Sequence, residues 1–210
     1  MAAMPERRIA VCLDDFGLHE GVNDAALALA DLGRLTAISC MVGAPAWRSG
    51  APSLARLDPQ HIDVGLHLDL TQHPLAPASH RPLPVLVALS AARLIERRRL
   101  LAEINAQLDA FEQEMGRPPA HVDGHQHVHQ FPVIRELLIE AALNARHEAD
   151  RHEHRGQNQR DRDDRAGHFP HRGQGRLAWA HAFLDVSLHR FDDDDRIVDD
   201  QADREHEPEQ

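Results

Sequence analysis

The chain has 210 residues, room for one ordinary domain or for a domain with a tail. Apolar residues make up 42%, enough for a core, but aromatics are only 4% and tyrosine is absent, so that core is expected to be aliphatic. A net charge of −11 and a pI near 5.8 argue against nucleic acid or anionic lipid as the main partner, since both need a cationic face.

In chain order, Arg8–Leu13 is a short apolar run and predicts a buried strand, which the polar Asp14–Gly17 segment is expected to break. Val22, Ala25, Ala26, Leu29 and Leu32 follow at helical spacing, and Gly33 suits a helix C-terminus. Ala37–Val42 reads as a second strand and Ala44–Leu57 as a helix with a ragged start. Ile62–Leu66 reads as a third strand that ends at His67, and the proline-rich His73–Pro84 as a loop. Leu94, Leu101, Ile104, Leu108, Phe111 and Met115 mark one face of a long helix, stopped by Gly116, Pro118 and Pro119. Ala120–His129 is expected as a fourth strand or extended segment. Pro132 can then open a helix with Val133, Leu137, Leu138 and Ala141 facing inward. The alternation implies an α/β fold with parallel strands and crossover helices. No run of about 20 apolar residues suggests a membrane span. The two cysteines, Cys12 and Cys40, make no disulfide framework and point to a reducing, cytoplasmic compartment.

Composition shifts near Ala145. Residues 146–210 hold 11 Arg, 17 Asp or Glu and 8 His, but only six Leu, Ile or Val. Such a stretch buries too little apolar surface to offset chain entropy. The expected division is an α/β domain over 1–145 and a polar tail over 146–210, disordered or non-native, whose composition resembles GC-rich DNA read out of frame.

Parallel α/β folds place their chemistry at the carboxyl ends of strands. The polar clusters fall there: Asp14 and Asp15 after the first strand, His67 and Asp69 after the third, and HVDGHQHVH (His121–His129) at the fourth. Were that last segment extended, Asp123, His125, His127 and His129 would share one face, costly to bury without a metal or a dense hydrogen-bond network. Asp14 and Asp15, in an extended chain, would point to opposite sides. Asp69 could orient an imidazole. An Asp and two His from three strand ends form a facial set that suits Zn, Mn, Mg, Fe or Co and leaves coordination positions for water and substrate. Metal-assisted hydrolysis of an amide or ester follows. A non-haem Fe(II) oxygenase, built on His67-x-Asp69 and a distant His, is a second reading, and a non-catalytic remnant that keeps the ligands is a third.

At these residues the chain resembles the YdjC family of carbohydrate deacetylases. The matching motifs are Asp14-Asp15-Phe16-Gly17-Leu18 with Gly21-Val22-Asn23, then Gly33-Arg34-Leu35-Thr36, then Gly65-Leu66-His67-Leu68 with Thr71. Arg117-Pro118-Pro119 then leads into the His121–His129 motif, followed by Phe131-Pro132. Order and spacing agree over residues 8–145. The resemblance implies a (β/α) barrel-like fold, here incomplete, a divalent metal (Mg or Zn), and removal of acetyl groups from N-acetylated sugars or glycolipids. Carried over, Asp15, His67 and His125 would be the metal ligands and Asp14 the general base. Asp123, His127, His129 and Asp69 would lie behind the ligands or face substrate. The family's late Cys-His-Pro segment, which would supply a general acid, is not found here, and an incomplete barrel exposes apolar edges that can pair into an oligomer.

Overall fold

In a computed structural model, residues 9–144 are described. The expectations for 146–210, and the start of the first strand at Arg8, lie outside them.

Among the described residues, four strands form one sheet: β1 (Cys12–Phe16), β2 (Ala37–Cys40), β3 (Asp63–Leu68) and β4 (Val122–Gly124). They are parallel and lie in the order β1-β2-β3-β4. The helices are α1 (Glu20–Asp31), α2 (Trp47–Leu54), α3 (Leu83–Ala91), α4 (Arg97–Met115) and α5 (residues 134–144). Each parallel neighbour needs a crossover, and helical segments run in all three crossovers. The α/β architecture read from the alternation is therefore the one observed.

The sheet has two unlike faces, because side chains alternate along a strand. One face carries Ile38, Cys40, Val64, Leu66 and Val122, all in the main apolar cluster. That cluster is closed by Leu54 and Trp47 from α2, Ile104, Leu108 and Phe111 from α4, and Ile134, Leu137 and Leu138 from α5. Trp47 stacks on Phe111 at 6.0 Å between ring centroids and meets Phe16 edge-on at 6.4 Å. Three of the four aromatics among the described residues meet here, inside an otherwise aliphatic core. The other face carries Ser39, His67 and Asp123.

Several boundaries differ from expectation for physical reasons. β1 does not end at Leu13: it runs through Asp14 and Asp15 to Phe16. Its pairing with β2 moves from Leu13↔Ile38 to Phe16↔Cys40, three steps against two, which is a β-bulge. Asp15 has φ +64, and Gly17 has φ +100. A Cβ on Gly17 would come within 2.8 Å of the Met41 carbonyl, so the turn leaving β1 needs glycine. Buried Asn23 closes that turn by accepting from Gly17 N at 2.7 Å and donating to the Ala46 carbonyl at 2.9 Å.

Helix α3 falls where the sequence analysis has no helix. Pro84 sits in its first turn, where no N–H is needed, and the apolar residues surround the helix, so no one-sided period marks it. Leu94 lies before α4 and is exposed, whereas Leu100, Ile104, Leu108, Phe111 and Met115 form the buried face. Gly116 ends α4 in the left-handed conformation.

Candidate metal centre

The polar clusters converge at the carboxyl ends of β1, β3 and β4. Asp15, His67 and His125 each present a ligand atom within 4.8 Å of the other two. Asp15 Oδ1 lies 2.9 Å from His125 Nδ1 and 3.4 Å from His67 Nε2. Donors that share one ion at contacts of about 2.0–2.2 Å are separated by about 3–3.5 Å, so these spacings fit a common ion. The Nε2 atom of His125 is also buried with no hydrogen-bond partner among the described residues. A buried polar atom in that condition is costly, and it is the ring's other nitrogen, since Nδ1 is the atom facing Asp15. Asp15, His67 and His125 therefore fit a divalent metal.

His67 is held from behind. Its Nδ1 donates to Asp123 Oδ1 at 2.7 Å. An ionised carboxylate only accepts, so a proton sits on Nδ1, and in the neutral ring it is the Nε2 lone pair that faces Asp15. This carboxylate–imidazole arrangement fixes both ring orientation and tautomer, as the partners of metal-ligating histidines do. Burial by itself pulls the His67 pKa down. The hydrogen bond to Asp123 and the charges of Asp123, Asp14 and Asp15 outweigh it, and the net shift in the ion-free site is upward. For Asp123, burial pushes the pKa up, but the His67 hydrogen bond and charge, with the Ser39 hydroxyl, bring it below the usual carboxylate range.

Asp14 and Asp15 do not diverge as an extended chain would require. Asp14 presents an oxygen within 4.8 Å of ligand atoms of both His67 and Asp123. The bulge, with Asp15 in the left-handed region, breaks the alternation and brings both carboxylates to one cluster.

The expectation of one extended face over Asp123, His125, His127 and His129 is overturned. β4 stops at Gly124, and His125–Gln130 coil into a 3₁₀-type segment in which Gln126 and His127 have φ of 53° and 59°. Period-two alternation cannot pass through such a turn. His125 is carried across to Asp15, and its ring lies 5.6 Å from that of His67. His127 is exposed, with its ring 6.3 Å from that of His129. Burial lowers the His129 pKa.

Asp69 does not orient an imidazole. Its carboxylate accepts from the Thr71 N–H and hydroxyl and from the N–H groups of Gln72 and His73, capping the loop after β3. Gln107 binds Asp69 through both main-chain groups and donates to Glu103, whose carboxylate takes the Leu75 and Ala76 N–H groups. The proline-rich loop is thereby pinned to α4. With both carboxylate oxygens so engaged, and with an α/β scaffold, the oxygenase reading loses its His67-x-Asp69 pair.

Two residues that the sequence analysis did not single out belong to this face. Ser39, fully buried, lies 3.0 Å from Asp123 Oδ2 and 2.9 Å from His121 Nε2. Its signal was its alternation with Ile38 and Cys40 in β2. His121 lies against Gly65, where a Cβ would fall within 2.4 Å of the ring, so glycine is needed for this approach.

The sequence pattern of the YdjC-like protein family matches residues 8–206. The chain belongs to this family. The match runs past residue 145, where the motifs read from the sequence end. Among curated relatives, the chain is 35% identical to a carbohydrate deacetylase of Mus musculus over 66% of this chain and 48% of that one. It is 32% identical to a chitooligosaccharide deacetylase of Proteus mirabilis (strain HI4320) over 63% of this chain and 56% of that one. It is 36% identical to a carbohydrate deacetylase of Geobacillus stearothermophilus over 59% and 53%. The chain thus spans about half the length of the curated relatives it matches. In fold it is similar to a crystal structure of an Enterococcus faecalis V583 protein named for cellobiose-phosphate cleavage, with a TM-score of 0.54 and 22% identity, over 64% of this chain and 55% of that one. None of the helices among the described residues is long and apolar enough to cross a membrane.

Proposed function

We propose that this YdjC-like chain is a metal-dependent carbohydrate deacetylase that hydrolyses the acetamide of N-acetylated sugars or glycolipids. The reading rests on one observation, the approach of Asp15, His67 and His125 to within 4.8 Å with Asp14 beside them. The names of its curated relatives support the substrate class. Asp15, His67 through Nε2 and His125 would hold a divalent ion, Mg or Zn. When bound, such an ion acidifies water and polarises the acetyl carbonyl.

The chain's own residues supply the rest. Asp14, exposed at the same cluster, takes the proton of the attacking water. The C–N bond breaks, the acetyl group leaves as acetate, and the sugar nitrogen leaves as the amine after taking up the proton that Asp14 removed from the water. Asp123 keeps His67 in the tautomer that leaves Nε2 free. The acidic balance suits a neutral sugar better than nucleic acid, and the two cysteines suit a cytoplasmic setting.

The test is acetate release from an N-acetylated chitobiose-type disaccharide by the full chain. Activity is expected with added divalent metal and is expected to vanish with chelator. Asp14→Asn should retain the ion and lose about 10²–10⁴-fold in turnover. His125→Ala should lose ion and turnover together. An Asp14→Asn protein that no longer binds the ion would reverse the roles of Asp14 and Asp15. A folded, metal-loaded chain that releases no acetate would leave the remnant reading in its place.

A further inference from the structure

The polar face of the sheet continues below the Asp15–His67–His125 set. Cys12 on β1, His121 just before β4 and Asp123 on β4 each present a ligand atom within 4.8 Å of the other two. Ser39 on β2 lies among them. Its Oγ is 3.4 Å from Cys12 Sγ, 2.9 Å from His121 Nε2 and 3.0 Å from Asp123 Oδ2.

We propose that Cys12, His121 and Asp123, with the Ser39 hydroxyl, form a second cation site that selects thiophilic ions such as Zn²⁺ or Cd²⁺ over Mg²⁺. The donors are one sulfur, one imidazole nitrogen and two oxygens, a set that suits a four-coordinate ion. Tetrahedral zinc, with contacts of about 2.0–2.3 Å, separates its donors by about 3.3–3.7 Å. The three separations from Ser39 Oγ, 2.9–3.4 Å, lie within or just below that range, and the other three lie within 4.8 Å. Gly65 leaves room for the His121 ring to lie on the sheet. The sulfur sets the selectivity, because thiolate favours zinc-like ions and Mg²⁺ takes oxygen ligands.

Without an ion the groups are hydrogen-bonded among themselves and to Asp14. The Ser39 hydroxyl donates to Asp123 and accepts from His121 Nε2–H, while the Cys12 thiol lies 3.4 Å from Ser39 Oγ and donates to Asp14 Oδ1 at 3.5 Å. Loading an ion replaces that network. The thiol proton is released to solvent, and His121 moves its proton to Nδ1. Asp123 belongs to both centres, with Oδ1 on His67 and Oδ2 on this site. An ion here therefore pulls on the carboxylate that orients His67.

The experiment is a Cd²⁺ titration of the full chain, following the ultraviolet thiolate-to-cadmium charge-transfer band and counting bound ions. The band is expected in the wild type and is expected to be unaffected by excess Mg²⁺. Cys12→Ser should abolish it and remove one ion. Cys40→Ser, which alters a fully buried thiol on the apolar face, should keep it. His121→Ala should weaken Cd²⁺ at least about tenfold, the loss typical of groups that build a metal site. His125→Ala dismantles the upper set and should leave the band intact. Failure of the deacetylase reading and failure of this site are therefore told apart. Absence of the band in the wild type, its survival in Cys12→Ser, or unchanged affinity in His121→Ala overturns the proposal.

Discussion

The two faces of the sheet are built by alternate residues of the same strands, yet they do opposite work. In β3, Val64 and Leu66 pack into the apolar cluster, while Gly65 and His67 serve the polar side. The apolar face is stabilised by removal of surface from water, which is non-directional and tolerant of detail. The polar face depends on directed hydrogen bonds from Ser39 and from His67 to Asp123, where a shift of one position would empty the site. Stability and chemistry are thus separated by one residue of register.

That separation can be tested from both sides. The largest effect on stability is expected on the apolar face. Phe111→Ala, which removes a fully buried ring stacked on Trp47, should cost about 3–5 kcal/mol in chemical denaturation. Ion binding should act on the polar face alone. At a Mg²⁺ concentration a hundred times Kd, which leaves the thiophilic Cys12–His121–Asp123 site empty, the wild type should gain about 2.7 kcal/mol, read as a rise in Tm, and His67→Ala should gain nothing. An equal gain in both proteins would place the ion elsewhere. Asp69→Ala lies between the two regimes. It leaves three buried or half-buried N–H groups of the loop without their acceptor and should cost about 1–3 kcal/mol without changing the ion affinity. A marked loss of ion affinity there would return Asp69 to the metal centre. His127→Ala should be the smallest, within about 0.5 kcal/mol and with the ion retained, because the ring is exposed.

Much of the scaffold was legible in the chain. Apolar runs such as Ala37–Val42 and the spaced Ile104–Met115 face reported buried elements because burial demands periodicity. The site was legible as residue types at strand ends, since carboxylates and imidazoles interrupting apolar runs are costly without a purpose. Its internal arrangement was not. Asp14 and Asp15 read as diverging, because nothing in their identity announces a bulge. The histidine run read as one face, because left-handed Gln126 and His127 carry side chains that rarely adopt that conformation. Ser39 sat silent inside an apolar run, and His121 was read only as the first letter of a motif.

The sequence by itself determined the alternation of strands and helices, the aliphatic character of the core and the identity of the chemical groups, because these follow from local periodicity and composition. The tertiary structure alone decided that Asp15, His67 and His125, separated by up to 110 residues, meet across one oxygen. It also decided that Asp123, not Asp69, supports His67, and that Ser39 and His121 join them. Such partnerships depend on strand register and on turns of positive φ, which long-range packing selects and no local pattern encodes.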